Sequence, residues 1–161
     1  MSVVARGRAA SIAKATRLSD GPRGRPNTTL HVTGIALTAV SVGMAVCTVV
    51  EWASTNRDTG AMLISSLICG TLGASLWRGT RADSVRTRTI FAAVGWTWFI
   101  VTLVGALPYL LAGTFSPGGT DFVEQLVNSI FEAASGFSCT GSTAFLDAEF
   151  NETGRGLLMY R

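Results

Sequence analysis

The chain has 161 residues and a formal net charge of +3, yet only 14% of its residues are charged. Soluble domains carry about 25% charged residues. The charges are also clustered, and three long segments contain no Asp, Glu, Lys or Arg: His31 to Val50, Thr59 to Trp77 and Thr89 to Thr120. This composition excludes an ordinary soluble domain and predicts a membrane protein.

Each of these segments has the length that a membrane crossing requires, since a spanning helix needs about 20 apolar residues. We therefore predict an all-α membrane protein that begins with a transmembrane hairpin over 30–77. Its two helices are predicted at 30–52 and 59–77, and a third transmembrane helix is predicted at 89–112. Gly, Ala and Ser recur in both hairpin helices. Small residues allow close helix packing in lipid, so we expect these faces to contact other helices.

The basic residues lie mainly in two places, the tail 1–29 and the loop 78–88. Lys and Arg accumulate in short cytoplasmic loops. We therefore predict a cell-membrane protein with a disordered cytoplasmic tail, a cytoplasmic loop at 78–88 and an acidic C-terminal third outside. Nucleic-acid binding is the competing interpretation of the basic tail, and it is disfavoured because no groove-reading motif accompanies the charges.

The three cysteines, Cys47, Cys69 and Cys139, are far apart and lack the spacing of a metal site. We predict that they are free thiols rather than a disulfide framework.

After the third span the sequence predicts a helix that enters the membrane without crossing it. Pro108 falls in the last turn of the span and is expected to bend it, and Gly113 with the turn residues 116–119 ends it. Asp121 is a predicted N-cap, with Glu124 three residues on, for a helix over 121–135. At 1.5 Å per residue this helix is about 22 Å long, shorter than the roughly 30 Å hydrocarbon layer.

The segment 136–143 that follows is rich in glycine, hydroxyl and thiol residues. Ion filters use backbone carbonyls in place of the ion's water shell, and glycine permits the dihedrals that such a backbone needs. The C-terminal end of a helix carries about half a negative charge, which favours a cation. The segment therefore suits a cation pathway, although a flexible extracellular turn fits the same composition equally well.

Glu132, just before this segment, has two interpretations. It could serve as an ion ligand near the filter, or it could lie at the back of the helix and bond to neighbouring backbone. The second interpretation is favoured, because a carboxylate at membrane depth needs a partner.

The residues 131–141, FEAASGFSCTG, resemble the first pore loop of Trk-type potassium-uptake proteins of the Trk/Ktr/HKT superfamily, whose pattern is approximately F-E-x-x-S-G-F-T-T-T-G. The segments GALPY at 105–109 and RGLLMYR at 155–161 are also similar to that family at matching places. The resemblance covers about 89–161 and is weaker for the hairpin.

This resemblance implies four helix–pore loop–helix repeats around one pore. Ser138, Cys139, Thr140 and Gly141 would supply filter carbonyls to potassium, with the ion held through the backbone of Cys139 and Thr140. Ser138 and Cys139 stand where the family usually has threonines, which leaves the preference for potassium over sodium open. The chain would then be the N-terminal part of a larger transporter, with an incomplete first repeat over 89–161 and no conduction on its own.

The resemblance further implies potassium as substrate, no covalent cofactor, a cytoplasmic nucleotide-binding regulatory subunit and a homo-oligomer when complete. One alternative is a non-transporting interaction protein, anchored in the bilayer, whose acidic outer loop binds a partner. An enzyme embedded in the membrane ranks third, because intramembrane catalytic residues are usually ionisable and the charge-free segments offer none.

Overall fold

The computed structural model describes residues 25–54, 56–82, 87–115, 121–145 and 151–161. Within them the fold is almost entirely helical. The elements in chain order are β1 (Arg25–Pro26), α1 (Thr28–Ser54), α2 (Thr59–Gly79), β2 (Thr80–Arg81), α3 (Thr87–Gly105), α4 (Leu107–Ala112), α5 (Phe122–Ser138) and α6 (Arg155–Tyr160). The predicted tail over 1–24, the loop residues 83–86 and 116–120 and part of the acidic flank, 146–150, lie outside the described residues.

Three helical segments of the described chain are long and apolar enough to cross a membrane: Thr28–Ser54, Thr59–Gly79 and Thr87–Ala112. Large apolar side chains cover their outer surfaces, with Val49 62% and Phe91 76% exposed. Such surfaces suit contact with lipid rather than with water. The prediction of an all-α, membrane-associated protein is confirmed at this level.

Close contacts between small residues hold α1 against α2. A Cβ placed on Gly34 would lie 2.5 Å from the backbone nitrogen of Trp77, and one placed on Gly73 would lie 2.7 Å from the backbone nitrogen of Thr38. Ser41 donates to the Ser66 carbonyl at 2.9 Å, and Ser66 donates to the Ser41 carbonyl at 3.1 Å. The predicted packing of the small-residue faces is therefore confirmed for these positions.

Replacing Gly34 by leucine is expected to destabilise the hairpin by about 3 kcal/mol, the upper end of the cost of overpacking, because backbone atoms block the new side chain. Gly43 lies on the same helix, and a Cβ there meets nothing within 4 Å. Gly43→Leu should therefore change stability little. The comparison is made by thermal unfolding of the purified chain in detergent, and equal melting temperatures for the two variants would contradict the assigned helix contact.

The structured part of the chain begins before the predicted end of the tail at residue 29, and the helices on either side of the loop 78–88 each extend two residues into it. The tail was expected to be unstructured up to residue 29, yet α1 begins at Thr28, and Arg25–Pro26 pairs in parallel with Thr80–Arg81. Asn27 continues this pairing through its backbone N–H to the Arg81 carbonyl at 3.1 Å, and its side chain accepts from Leu30 N–H at 3.1 Å. A short-range sequence pattern does not reveal a pairing between segments more than fifty residues apart.

The third span is interrupted close to Pro108, as predicted. Helix α3 ends at Gly105, Ala106 forms a turn, and Pro108 lies in the first turn of α4. Proline has no N–H to donate in the helix interior, so the break falls where that bond would be needed. Gly113 ends α4 in a left-handed conformation, and its N–H donates to the Leu110 carbonyl.

A core of aromatic rings lies between the end of the third span and α6. Tyr109, Phe115 and Phe145 are buried and contact one another, with ring centroids 5.0 to 6.3 Å apart. Leu157 of α6 is fully buried in the same cluster. This cluster joins the end of the third span to α6, and α5 packs over it.

Candidate functional site

Helix α5 is too short to cross a bilayer. Its 17 residues, Phe122–Ser138, rise about 25 Å at 1.5 Å per residue, against a hydrocarbon layer of about 30 Å. Asp121 occupies the N-cap position as predicted, but its side chain makes no capping hydrogen bond. The capping interaction expected from Asp121 and Glu124 is therefore not formed.

The two faces of α5 differ in chemistry. Phe122, Val123, Val127 and Phe131 are exposed on one side. The opposite side buries Ser129, Glu132, Ala133 and Ser135 against the rest of the chain. The helix therefore places a buried polar row next to the protein and an apolar row outward.

The predicted end of α5 at Ser135 is wrong by three residues. Gly136 was expected to stop the helix, but the helix continues to Ser138. A Cβ on Gly136 would lie 2.5 Å from the Arg161 carbonyl oxygen, so this glycine permits a close approach within the helix. Ser138 satisfies its hydroxyl inside the last turn by donating to the Ala134 carbonyl at 2.7 Å.

Cys139 ends the helix in the left-handed conformation, with φ 54°. Its N–H donates to the Gly136 carbonyl at 3.2 Å, and Thr140 N–H donates to the Ser135 carbonyl at 3.3 Å. These bonds satisfy two of the carbonyls left open at the helix end. The chain then leaves α5 at Cys139, and Gly141 follows with φ 72°, which glycine adopts without a steric cost.

The predicted filter residues all lie on the surface. Ser138, Cys139, Thr140 and Gly141 are exposed, Ser138 in the last helical turn and the other three in the irregular chain that follows, with Cys139 and Gly141 in left-handed conformations. The carbonyls of Ser138, Cys139 and Thr140 accept no hydrogen bond from any described residue. Three successive backbone oxygens are thus left for solvent or for a cation.

The Ser135 side chain, on α5, forms hydrogen bonds with the chain that follows the helix. Its hydroxyl donates to the Ser142 carbonyl, and it lies 3.0 Å from the Thr140 hydroxyl. Because the single hydroxyl proton of Ser135 goes to Ser142, the Thr140 hydroxyl is the donor in the second bond. A helix side chain therefore holds the loop at two points, two residues apart.

The Glu132 carboxylate holds the same segment further along the chain, at Thr143 and Ala144. This carboxylate is fully buried, and it accepts from Ala144 N–H at 2.9 Å and from the Thr143 hydroxyl at 3.1 and 3.3 Å. Arg161 forms an ion pair with it, with Nε 2.5 Å from Oε1. This arrangement agrees with the interpretation of Glu132 as a residue bonded to neighbouring backbone.

The chain end at α6 is held against α5 and α3. The Arg161 guanidinium also lies 3.5 Å from the Gly141 carbonyl, and the Tyr160 phenol donates to the Gly105 carbonyl at 3.2 Å. Burial raises the pKa of Tyr160 well above its ordinary value, so its phenol stays a donor. Within the described residues, α6 is thus the element that connects the strand to the third span.

Glu51 is a buried site that the sequence prediction missed. It lies in the last turn of α1 and is fully buried, and its carboxylate accepts from the N–H groups of Arg57, Asp58 and Gly156 at 3.0, 3.2 and 2.7 Å. Asp58 in turn accepts from Gly154 N–H at 2.8 Å. No local sequence pattern marks this site. Gly154 and Gly156 permit the close approach, because a Cβ on either would collide with Glu51.

A concavity of about 420 Å³ lies beside the strand, lined by Ser135, Gly136, Cys139, Gly141, Leu158 and Arg161. The described residues contain no cluster of His, Cys, Asp or Glu that could hold a metal ion. The concavity therefore offers backbone carbonyls and hydroxyls, together with the Arg161 guanidinium, whose charge is paired with Glu132.

The three cysteines are free thiols as predicted, with Cys47 and Cys69 buried and Cys139 exposed. The fold and the site together define a membrane-associated, all-helical protein with one short helix that ends in an exposed backbone strand. No protein-family model, curated protein or solved structure matches the chain.

Proposed function

We propose that this chain is the N-terminal part of a Trk-type potassium transporter, and that 138–141 forms one strand of its selectivity filter. The observation that carries the proposal is the run of exposed carbonyls at Ser138, Cys139 and Thr140, at the C-terminal end of a helix too short to cross the bilayer. Irregular backbone at membrane depth is tolerated where it is buried or lines a water-filled cavity. The residues FEAASGFSCTG add the resemblance to Trk-type pore loops.

In this proposal potassium replaces its water shell by the backbone oxygens of Cys139 and Thr140 and moves down its electrochemical gradient. Helix α5 contributes the partial negative charge of its C-terminal end. Ser135 holds the chain at Thr140 and Ser142, and Glu132 holds it at Thr143 and Ala144, so the carbonyls just before these points need little reorganisation when the ion arrives. The remaining sides of the site require further strands, which the resemblance assigns to later repeats of a longer chain.

The proposed orientation places the N-terminus and the loop around Thr80 in the cytoplasm of a cell-membrane protein. The distribution of arginines supports it, because basic residues accumulate in cytoplasmic loops. A cytoplasmic nucleotide-binding subunit and a homo-oligomeric assembly belong to the same proposal through the Trk resemblance.

Cys139 offers a test of both filter and orientation. A membrane-impermeant thiol reagent, added outside cells that depend on the full-length protein for potassium, is expected to block most uptake. Cys139 is the exposed thiol, while Cys47 and Cys69 are buried. Cys139→Ser should remove the block and Cys47→Ala should leave it. If Cys139→Ser is blocked by the reagent as strongly as the unmodified protein, Cys139 does not line the pathway. If the unmodified full-length protein shows no potassium uptake at all, the alternative of a membrane-anchored interaction protein is favoured.

A further inference from the structure

A groove of about 560 Å³ runs between α1, α2 and α3, at the end of the molecule opposite Glu51. Its mouth is polar, with Asn27 and Thr29 at the start of α1. Its walls are apolar and include Leu76 of α2 and Ala92, Trp96 and Ile100 of α3. The groove therefore passes from a polar rim into an apolar slot between three membrane-spanning helices.

The α3 wall has a regular pattern. Ala92, Trp96 and Ile100 follow one another at four-residue intervals, and Arg88 precedes them at the same interval. Residues four apart are neighbours on one helix face, so Arg88 lies one turn from Ala92, just beyond the residues that line the groove. From Arg88 to Ile100 the stripe rises about 18 Å, close to the roughly 15 Å depth of one leaflet of the hydrocarbon layer.

Three arginines lie near the polar end of the groove, although they are not among the residues that line it. Arg78, Arg81 and Arg88 are exposed at this end, and the Arg81 carbonyl accepts from the Asn27 N–H at the mouth. Among the described residues of this end no carboxylate opposes them, and the adjoining sequence outside the described residues adds two, Asp20 and Asp83. Basic pockets between transmembrane helices are suited to the phosphate groups of anionic lipids.

We propose that this groove is a binding site for an anionic phospholipid, with its phosphate between Arg81 and Arg88 and one acyl chain along Ala92, Trp96 and Ile100. The charge of the rim selects the headgroup and the depth of the slot accepts the chain. The site is independent of the filter, so it stands whether or not the protein conducts potassium.

The test uses the purified chain, equilibrated with equal amounts of phosphatidylglycerol and phosphatidylcholine, and counts bound lipids by native mass spectrometry. Phosphatidylglycerol is expected to be retained preferentially, by roughly fivefold for each arginine that contacts the phosphate. Arg88→Gln should reduce that preference. Arg57→Gln, an exposed arginine in the loop between α1 and α2, should leave it unchanged.

A second variant tests the slot itself. Ala92 is exposed within the groove, so Ala92→Trp is expected to fill it without disturbing the core and to lower retention of both lipids. Equal retention of the two lipids by the unmodified chain would overturn the proposal. Lipid retention that neither Arg88→Gln nor Ala92→Trp changes would also overturn the proposal. So would a dimer of the chain that forms in place of lipid binding and is lost in Ala92→Trp, because a second copy of the chain would then occupy the groove.

Discussion

Replacing Gly141 by aspartate in the full-length protein is expected to lower potassium uptake at least about tenfold. Aspartate adopts the left-handed conformation at Gly141 more readily than most residues with a Cβ, so the loss is expected mainly from its charge, since a carboxylate that retains the cation by about 1.4 kcal/mol slows its passage about tenfold. The added carboxylate also extends beside the carbonyls that the proposal assigns to potassium. Uptake is measured in cells that lack their own potassium-uptake systems.

The same substitution is expected to leave expression and membrane insertion intact. A Cβ on Gly141 meets nothing within 4 Å, so no core contact is lost. Gly60 at the start of α2 provides the matched control, since a Cβ there also meets nothing and the residue is exposed. Gly60→Asp should transport normally. Normal transport by Gly141→Asp as well would show that this glycine has no part in a filter.

The second large effect is expected from Glu132→Ala. The change removes the acceptor of Ala144 N–H and of the Thr143 hydroxyl, and it leaves Arg161 without its ion-pair partner Glu132. Removing one partner of a buried ion pair costs about 3–5 kcal/mol. Because Arg161 is 26% exposed and can turn to solvent, we expect about 3 kcal/mol, the lower end of that range.

Thermal unfolding in detergent measures this loss, and potassium uptake by the full-length protein is expected to fall with it because the strand is no longer held. Glu124 is an exposed glutamate on the same helix, and Glu124→Ala should change stability little. Glu132→Gln keeps an acceptor oxygen but no charge, so its loss should be intermediate. Equal stability of Glu132→Ala and Glu124→Ala would contradict the assigned role of the ion pair.

The membrane-spanning helices were predictable because the need for a long apolar segment is visible in the sequence itself. A crossing helix must satisfy its backbone internally and present about 20 apolar residues to lipid, and no tertiary contact changes that. The interruption near Pro108 followed from the missing N–H of proline. The backbone contacts of Glu132 followed from the cost of an unpaired carboxylate in the membrane.

The features that the sequence prediction missed depend on contacts between distant segments. Gly136 has the local signature of a helix stop, but its role is to admit the Arg161 carbonyl twenty-five residues later. Glu51 has the signature of an interfacial charge at a helix end, and only the fold brings the N–H of Gly156 to it. Short-range patterns carry no information about such partners.

The central claim, that 138–141 forms part of a potassium filter, is tested most directly by ion flux. The full-length protein is reconstituted into liposomes loaded with potassium, and uptake of a rubidium tracer is followed. We expect tracer uptake above that of protein-free liposomes, with loss of that uptake in Gly141→Asp and its retention in Gly60→Asp. Tracer uptake no greater than in protein-free liposomes, by a folded and inserted protein, would contradict it.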